Sequence, residues 1–352
     1  MKIPFYVGSY SLPSPWAGAP LGHGAGIRAA SIDADSGAIE FGPSFGELNP
    51  SFLAREGGRL WAITEPEFGG ELIGCEIGAT RDLVLRGRVA TGADAPCHVT
   101  VDWRRRLAFV SHYHGGALAL LHLGEGGEPR RSLALAKPPA IMRGEDRGAA
   151  KSNVHASLRW GADELLVTDT GRDAVLLYRI SGEGPNASLE PLDVLPLPPG
   201  TGPRHLALHP ATGAVYLSNQ NSGGVSIVGR GEDGRLDLRG GITAGGLGRN
   251  RRVPSEIAVH PAFDVVYMAN RTDDSISVFS VESESGDLAS RGAVDVMGRN
   301  PRHFRVSPDG RWLIVANQDS DALTVFNIED RGRRLVYTGQ RFEAATPTSI
   351  CF

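Results

Sequence analysis

The segment GPRHLALHP at residues 202–210, followed by AVYLSNQNSGGVSIV at 214–228, decides the fold because it occurs again further along the chain. The second copy is NPRHFRVSP at 300–308, followed by WLIVANQDSDALTVF at 312–326. Weaker copies bring the anchor residues to seven, namely Pro50, Pro96, Val154, Pro203, Pro254, Pro301 and Pro347. Successive anchors are 46, 58, 49, 51, 47 and 46 residues apart. Seven copies of this length predict a β-propeller of seven blades.

The two ends of the chain supply different parts of one copy. The last copy, TPTSICF at 346–352, stops after its first strand. The segments FYVGSYSLPS at 5–14 and GIRAASID at 26–33 read as a second and a third strand that lack a first one. We therefore expect residues 1–352 to form one all-β domain, a seven-bladed propeller whose terminal strands share a blade and close the ring. A two-sheet sandwich with accidental internal similarity is the alternative fold.

Composition restricts the partners and the compartment. The chain has 36 Lys and Arg against 40 Asp and Glu, a formal net charge of −4, so we expect neither nucleic-acid nor membrane binding. The N-terminus runs directly into a strand pattern without a signal-peptide stretch, which predicts a cytoplasmic protein. Cys75, Cys97 and Cys351 are odd in number and form no CxxC motif, so no disulfide framework is implied. We expect a monomer or a weak homodimer.

Alignment of the seven copies gives three columns of residues. In a propeller the first strand of each blade lies against the central axis, so equivalent positions should face one shared channel. The first column, about two residues after the anchor, contains Phe52, His98, His155, His205, Glu256, His303 and Ser349. The adjacent column contains Ser51, Cys97, Val154, Arg204, Ser255, Arg302 and Thr348. The third column, at the end of the second strand, contains Tyr10, Glu65, Tyr113, Thr170, Gln220, Arg271 and Gln318.

These columns combine groups that bind anions and move protons. Arg204, Arg271 and Arg302 need anionic partners in a confined space, because the columns hold fewer carboxylates than cations. Polar, wet channels are common in propellers whatever their function, so each histidine also has a purely structural interpretation. A metal held by the imidazoles and Glu256 is a further alternative, but interleaved arginines oppose a dication; we predict no metal and no cofactor. The basic clusters at 104–106 and 249–252 are expected to be solvated turns.

Several segments of the chain resemble the corresponding segments of the seven-bladed lactonase family. They are APCHVTVD at 95–102, VHAS at 154–157, TDTGRDAVLLYRI at 168–180, GPRHLALHP at 202–210, YMANRTDDSISVF at 267–279 and NPRHFRVSPDGRWLIVANQDSD at 300–321. That family includes propeller-type 6-phosphogluconolactonases and fungal carboxymuconate lactonising enzymes. The resemblance extends over nearly the whole chain and implies the same propeller fold.

The resemblance also implies candidate catalytic residues. In the lactonising branch they are a histidine of the third blade, the arginine of the GPRH motif, a glutamate that ends the next strand and the arginine of an NR motif. By motif, His155, Arg204 and Arg271 match three of them, whereas Gln220 occupies the position of the glutamate. A glutamine does not transfer a proton near neutral pH, so the expected base is His155 or Glu256.

The predicted function is hydrolysis of a small anionic lactone of the sugar-acid type. Arginines are expected to hold the acid group, and Arg204 and Arg271 to stabilise the oxyanion that forms when water attacks the carbonyl. The expected substrate contacts are His98, His205, Arg302, His303, Glu65 and Tyr113, with Glu65 as a possible replacement for the missing carboxylate. A non-catalytic propeller that binds a sugar acid or a protein, favoured by Gln220, and a lactone-forming cycloisomerase are the alternatives.

Overall fold

The computed structural model describes residues 1–139 and 150–352, and the backbone of the short strands Ile141–Met142 and Glu145–Asp146. The chain forms two compact units. The first comprises Met1–Glu47, Leu206–Gly229 and Arg239–Phe352, and the second comprises Leu48–His205 and Arg230–Leu238. That the whole chain is one domain stays a prediction.

Three four-stranded sheets belong to the first unit. In the order of hydrogen-bonded neighbours, they are β3 (Ile39–Phe45), β2 (Ile27–Asp33), β1 (Lys2–Ser9) and β30 (Pro347–Cys351); β22 (Pro254–Val259), β23 (Val265–Asn270), β24 (Ser275–Val281) and β25 (Leu288–Asp295); and β26 (Pro301–Val306), β27 (Trp312–Asn317), β28 (Ala322–Glu329) and β29 (Arg334–Glu343).

Three more four-stranded sheets and one hairpin belong to the second unit. They are β4 (Pro50–Glu56), β5 (Arg59–Thr64), β6 (Glu71–Ile77) and β7 (Leu83–Ala90); β11 (Pro129–Ala136), β10 (Ala117–Leu123), β9 (Leu107–His112) and β8 (Pro96–Asp102); the hairpin of β12 (Ile141–Met142) and β13 (Glu145–Asp146); and β14 (Val154–Arg159), β15 (Glu164–Asp169), β16 (Ala174–Ser181) and β17 (Ser188–Pro196). The remaining sheet consists of β18 (Pro203–Leu208), β19 (Val215–Asn219), β20 (Gly224–Arg230) and β21 (Leu236–Thr243).

The fold is an all-β, seven-bladed propeller, as the repeat predicts. The four-stranded sheets number seven across residues 1–139 and 150–352, and six of them take four consecutive strands of the chain. The seventh pairs β1 with β30 in antiparallel register, with Val7 opposite Ile350 and Gly8 opposite Ser349. The N- and C-terminal strands therefore share one blade, as the two incomplete terminal copies predict. The two-sheet alternative is wrong, because a sandwich divides its strands between two packed sheets.

The first strand of each blade begins in the same unusual way. The residue before the anchor has a positive φ in five copies, at Asn49 (46°), Ala95 (49°), Gly202 (60°), Asn300 (54°) and Thr346 (41°). Immediately after the anchor the pairing register shifts between Pro50 and Phe52, and equivalent shifts occur in β8, β14, β22 and β26. Such bulges redirect side chains and are common beside functional sites. The backbone thus departs from regular strand geometry where the candidate residues lie.

Two histidines of the repeated His-Pro motif, both residues of the first unit, each contact a residue of the next sheet. Nε2 of His260 donates to the carbonyl of Gly310 at 3.0 Å, while its Nδ1 accepts from the backbone N–H groups of Ala262 and Phe263. His209 occupies the equivalent position one copy earlier, and its Nε2 lies 3.3 Å from a carboxylate oxygen of Asp264. Both imidazoles are buried. Their contacts are structural, which agrees with their absence from the candidate columns.

We expect one buried histidine of the second unit to make stability depend on pH. His112 ends β9, is fully buried, and its Nδ1 donates to the carbonyl of Ala117 at 3.3 Å. Burial lowers its pKa to about 4 from the ordinary 6.5. The unfolded chain therefore binds this proton first on acidification, so stability present above pH 6.5 is lost as the pH falls toward 4.

That loss corresponds to about 3 kcal/mol of unfolding free energy. Chemical denaturation at pH 7.0 and at pH 4.5 measures it. In His112→Gln, which cannot take up the proton, the fall between the two pH values should be smaller by most of this amount. An equal fall in the variant and the native protein would contradict the assignment.

Candidate functional site

Equivalent residues of the third column make one repeated hydrogen bond. In six of the blades, the residue that follows the second strand donates its backbone N–H to the carbonyl just before the anchor of that blade. At 2.9–3.1 Å, this bond joins Tyr10 to Thr346, Glu65 to Asn49, Tyr113 to Ala95, Thr170 to Asn153, Arg271 to Val253 and Gln318 to Asn300. The structure therefore confirms that these six members of the column occupy equivalent positions. Their side chains start directly over the entry to the first strands.

A cleft of about 840 Å³ lies beside two members of this column in the first unit. Arg271 and Gln220 both line it, and Nη2 of Arg271 donates to Oε1 of Gln220 at 2.9 Å. The remaining lining residues are Gly18, Asn221, Asn250, Arg251, Val253, Thr272, Asp274, Arg299, Asn300 and Asp319. Two residues chosen from the sequence as catalytic thus share one cavity wall and contact each other.

The charges on the wall of this cleft favour an anion. Three arginines face two aspartates among its lining residues. Arg251 donates to the backbone carbonyl of Asn221 at 3.0 Å, and Arg299 donates to that of Asp319 at 3.1 Å, so neither of these contacts neutralises a guanidinium. Burial raises the pKa of Asp274, whose carboxylate accepts from the backbone N–H of Asn300. The cleft therefore has the charge and the donors for a phosphate or carboxylate group.

Sequence reasoning overlooked part of this wall. The cluster at 249–252 lies outside the strands and is largely exposed, as expected of a solvated turn, but Asn250 and Arg251 also line the cleft. Arg299 lines it as well, two residues before the anchor Pro301, while Arg251 lies three residues before Pro254. The repeat contained the signal, because arginines occur just before two successive anchors. The first two aligned columns contain no position before the anchor.

A buried acid–imidazole pair lies on β22 and β26 of the same unit. Nε2 of His303 is 3.1 Å from a carboxylate oxygen of Glu256, and Arg305 approaches the other oxygen at 3.6 Å. Glu256 is 4% exposed and His303 is 1% exposed. Nδ1 of His303 accepts from the backbone N–H of Ile350 at 3.3 Å, so the proton of the neutral ring lies on Nε2. The sequence placed both residues in one column, and the structure brings them together.

Arg302 contacts protein groups at the start of β26. Nη2 donates to the hydroxyl of Tyr10 at 2.6 Å, and Nη1 donates to the carbonyl of Ala17 at 3.0 Å and to Oε1 of Gln318 at 3.3 Å. It is not among the residues that line the 840 Å³ cleft in the part of the chain that the structure describes. Its predicted role as a substrate contact stays a prediction.

In the second unit the structure gathers three histidines of the first column. The ring centroids of His98 and His205 are 5.4 Å apart, and those of His155 and His205 are 5.2 Å apart. Phe52 packs on His98 at 4.3 Å, and Tyr113 meets His155 edge-on at 5.5 Å. These five residues form one imidazole–aromatic cluster. Within residues 1–139 and 150–352, no group of three or more His, Cys, Asp or Glu side chains is arranged to hold a metal ion.

The other predicted site residues of the second unit are buried at its strand ends. Arg204 is 4% exposed, and its carbonyl accepts from the hydroxyl of Thr168 at 2.7 Å. Glu65 is also 4% exposed and directly follows β5. Next to the histidine cluster, Sγ of Cys97 lies 3.9 Å from Nδ1 of His155. The catalytic roles of His155 and Arg204 stay predictions.

The comparison with protein families is decisive at this point. The family model described as lactonase, 7-bladed β-propeller, matches residues 4–352. The chain belongs to this lactonase family. The match includes both units, the cleft of the first and the histidine cluster of the second.

Named relatives extend over most of the chain. This lactonase is 27% identical over 322 residues to a 6-phosphogluconolactonase of Formosa agariphila, with 88% of each chain covered. It is 26% identical over 329 residues to a 6-phosphogluconolactonase of Bacillus subtilis, with 88% of this chain and 87% of the relative covered. The solved periplasmic gluconolactonase PpgL of Pseudomonas aeruginosa has a TM-score of 0.86 and 25% identity, with 99% and 98% covered. A protein from Lactobacillus plantarum has a TM-score of 0.87 at 20% identity, with 99% of both chains covered, and shows the fold alone.

The structure has no candidate for a membrane-spanning helix among the residues it describes. Its helical segments are short 3-10 turns, at Pro15–Ala17, Gly184–Asn186, Gln318–Ser320 and Asp330–Gly332.

We expect Arg251 to contribute to anion affinity in the cleft. Inorganic phosphate should raise the melting temperature of the native protein, and Arg251→Ala should weaken the apparent affinity about tenfold, because a charge-assisted hydrogen bond is lost. The matched control is Arg249→Ala in the same turn, since Arg249 pairs with Asp295 at 2.6 Å and lies outside the lining. Equal losses of phosphate affinity in the two variants would mean that only the summed positive charge of the turn, and no direct contact of Arg251, attracts the anion.

Proposed function

We propose that this protein hydrolyses a small lactone that carries an acid group, and that the acid group binds in the arginine-lined cleft of the first unit. The observation that carries the proposal is the excess of three arginines over two aspartates around 840 Å³ in a member of a lactonase family. A cavity of this size admits a sugar lactone, because small-molecule sites in proteins usually measure about 300–1,000 Å³.

The named relatives support the substrate class. Two of them are 6-phosphogluconolactonases, and the solved PpgL is a gluconolactonase. A phosphorylated sugar lactone presents a dianion at one end and an ester carbonyl in its ring. Arg251 and Arg299 suit the dianion, since one guanidinium group can donate two parallel hydrogen bonds to two oxygens of a phosphate.

In the proposed reaction Glu256 is the base. It removes a proton from water as the water oxygen attacks the lactone carbonyl, and Arg271 stabilises the resulting oxyanion. The bond between the carbonyl carbon and the ring oxygen then breaks, and the ring oxygen takes the proton held by Glu256, which gives the open hydroxy acid and restores the carboxylate. Glu256 is the third residue of β22, and Val253 on the cleft wall directly precedes that strand. Three residues of strand span about 10 Å, and Glu256 itself is not among the described residues that line the cleft, so the proposal requires the lactone ring to extend this far from Val253.

Gln220 has a different role in this proposal. Because its Oε1 accepts from Arg271, the neutral amide orients the guanidinium without neutralising it. The same observation favours the second candidate function, a propeller that binds a sugar acid without turnover, since the resemblance implies a glutamate here. His155 in the second unit is a separate candidate for the base and needs its own test. Lactone formation instead of hydrolysis would be seen from the products.

Turnover of a lactone panel tests the function and the base together. The chelator-treated protein is incubated with 6-phosphogluconolactone, gluconolactone and a muconolactone, and acid release is followed with a pH indicator. We expect fastest hydrolysis of the phosphorylated lactone and a fall in kcat of about 10²–10⁴-fold for Glu256→Gln.

The controls of this experiment separate the alternatives. His155→Asn with a comparable loss, and Glu256→Gln with none, would move the base to the second unit. Silence of the native protein across the panel, with 6-phosphogluconate still raising the melting temperature, would support the non-catalytic binder. Recovery of activity only after a metal is added would contradict the metal-free proposal.

Three further expectations accompany this proposal. A cytoplasmic location follows from the sequence alone, and one solved relative is periplasmic. A monomer or weak homodimer and a single folding domain are likewise expectations. Fractionation of the native host, light scattering and a single cooperative unfolding transition would test them in turn.

A further inference from the structure

The connection between β1 and β2 supplies one wall of the cleft. We call residues 11–24 the N-terminal connection. Gly18 of this connection lines the 840 Å³ cleft, while Ala19, Pro20, Leu21 and His23 line a second cavity of about 290 Å³. Arg299 and Asp319 line both cavities. The connection therefore borders both spaces, the cleft through Gly18 and the second cavity through the four residues at 19–21 and 23.

Two long polar side chains donate hydrogen bonds to the backbone in the middle of the N-terminal connection. Nη1 of Arg302 donates to the carbonyl of Ala17 at 3.0 Å, and Nε2 of Gln318 donates to the carbonyl of Gly18 at 2.8 Å. The two side chains also contact each other, because Nη1 of Arg302 donates to Oε1 of Gln318 at 3.3 Å. Both carbonyls belong to the turn whose residue Gly18 lines the cleft.

Tyr10 fixes the guanidinium of Arg302 from the other side. Its hydroxyl accepts from Nη2 at 2.6 Å, and its ring centroid lies 5.0 Å from the guanidinium carbon. Tyr10 is fully buried, and its backbone N–H bonds to Thr346 in the repeated hydrogen bond described above. A planar guanidinium can serve three acceptors in different directions at once, whereas an ammonium group on a flexible stem has no such fixed geometry.

The far end of the N-terminal connection is tightly packed. A Cβ at Gly22 would lie 2.1 Å from the carbonyl oxygen of Leu12, and one at Gly24 would lie 2.3 Å from the hydroxyl of Ser9. The backbone N–H of Gly24 donates to the carbonyl of Tyr10 at 2.7 Å. With this end fixed, the turn at 17–18 is the part whose position depends on Arg302 and Gln318.

We propose that Arg302 is a positioning residue: through Tyr10, Gln318 and the carbonyl of Ala17 it holds the N-terminal connection as the wall that sizes the cleft for a small lactone. This proposal rests on the proposed function for its kinetic consequences, but the ordering of the connection is independent of any turnover. It replaces the direct substrate contact that the sequence predicts for Arg302.

The test compares variants that remove one contact at a time. They are Arg302→Lys, Tyr10→Phe, Gln318→Ala and, as a surface control, Arg334→Ala, which removes an exposed ion pair with Glu329. For the three contact variants we expect KM for 6-phosphogluconolactone to rise about tenfold while kcat stays within about twofold, since only the fraction of molecules with a formed wall binds substrate. In these variants the ratio of kcat/KM for 6-phosphogluconolactone to kcat/KM for a disaccharide-sized lactone should fall. Hydrogen exchange of amides 11–24 should accelerate in the same three variants.

The outcomes distinguish three explanations. A KM effect for Arg302→Lys with none for Tyr10→Phe or Gln318→Ala, and unchanged exchange at 11–24, would show that Arg302 contacts substrate directly and would overturn the proposal. Lower melting temperatures in all three variants with unchanged KM would show a merely structural role and would also overturn it.

The proposed function and this inference can fail separately. If the native protein turns over no lactone, the affinity for 6-phosphogluconate, measured by calorimetry, replaces KM. Weaker binding together with faster exchange in the three variants would still support the positioning role, while unchanged values for both would refute it.

Discussion

One backbone hydrogen bond determines where the candidate residues of this lactonase lie. It runs from the residue after the second strand of a blade to the carbonyl before the anchor of that blade. It places the residue after the second strand over the entry of the first strand in every copy where it is seen. In four copies the residue whose carbonyl accepts this bond has a positive φ; these residues are Asn49, Ala95, Asn300 and Thr346. A β-branched residue such as Thr346 is strained in that conformation, and strain of this kind persists only where the surrounding structure requires it.

Because this bond uses only backbone atoms, the side chain at each position can vary between copies. The column accordingly offers a guanidinium at Arg271, an amide at Gln220 and Gln318, and a phenol at Tyr10 and Tyr113. In the first unit four of these side chains lie at or beside one cleft. Arg271 and Gln220 form its wall, while Tyr10 and Gln318 hold Arg302 against the N-terminal connection. A repeated scaffold thus separates the fold, which depends on the backbone, from the site, which depends on the side chains.

For some of the predicted residues the alignment also identified their neighbours, whereas for others the contacts could not be inferred. The alignment put His98, His155 and His205 into one column, and their rings meet, including those of His98 and His205, whose blades are separated by the blade of His155. It also put Glu256 and His303 into one column, and they meet at 3.1 Å. It could not show that the Nδ1 atom of His303 is occupied by the backbone of Ile350, since that contact comes from the strand that closes the ring. The tautomer, and with it the direction of the proton, depends on that closure.

The sequence by itself determined the fold class, the number of blades, the sharing of one blade by the two chain ends and the identity of equivalent positions. All of these follow from local strand patterns and from a period that the chain repeats. Only the tertiary structure decided that Arg251 and Arg299 line the cleft with Arg271, and that Arg302 contacts Ala17 and Tyr10 instead of lining that cleft. The physical reason is that these contacts join residues up to 292 positions apart through long, flexible side chains, whose direction no local pattern specifies.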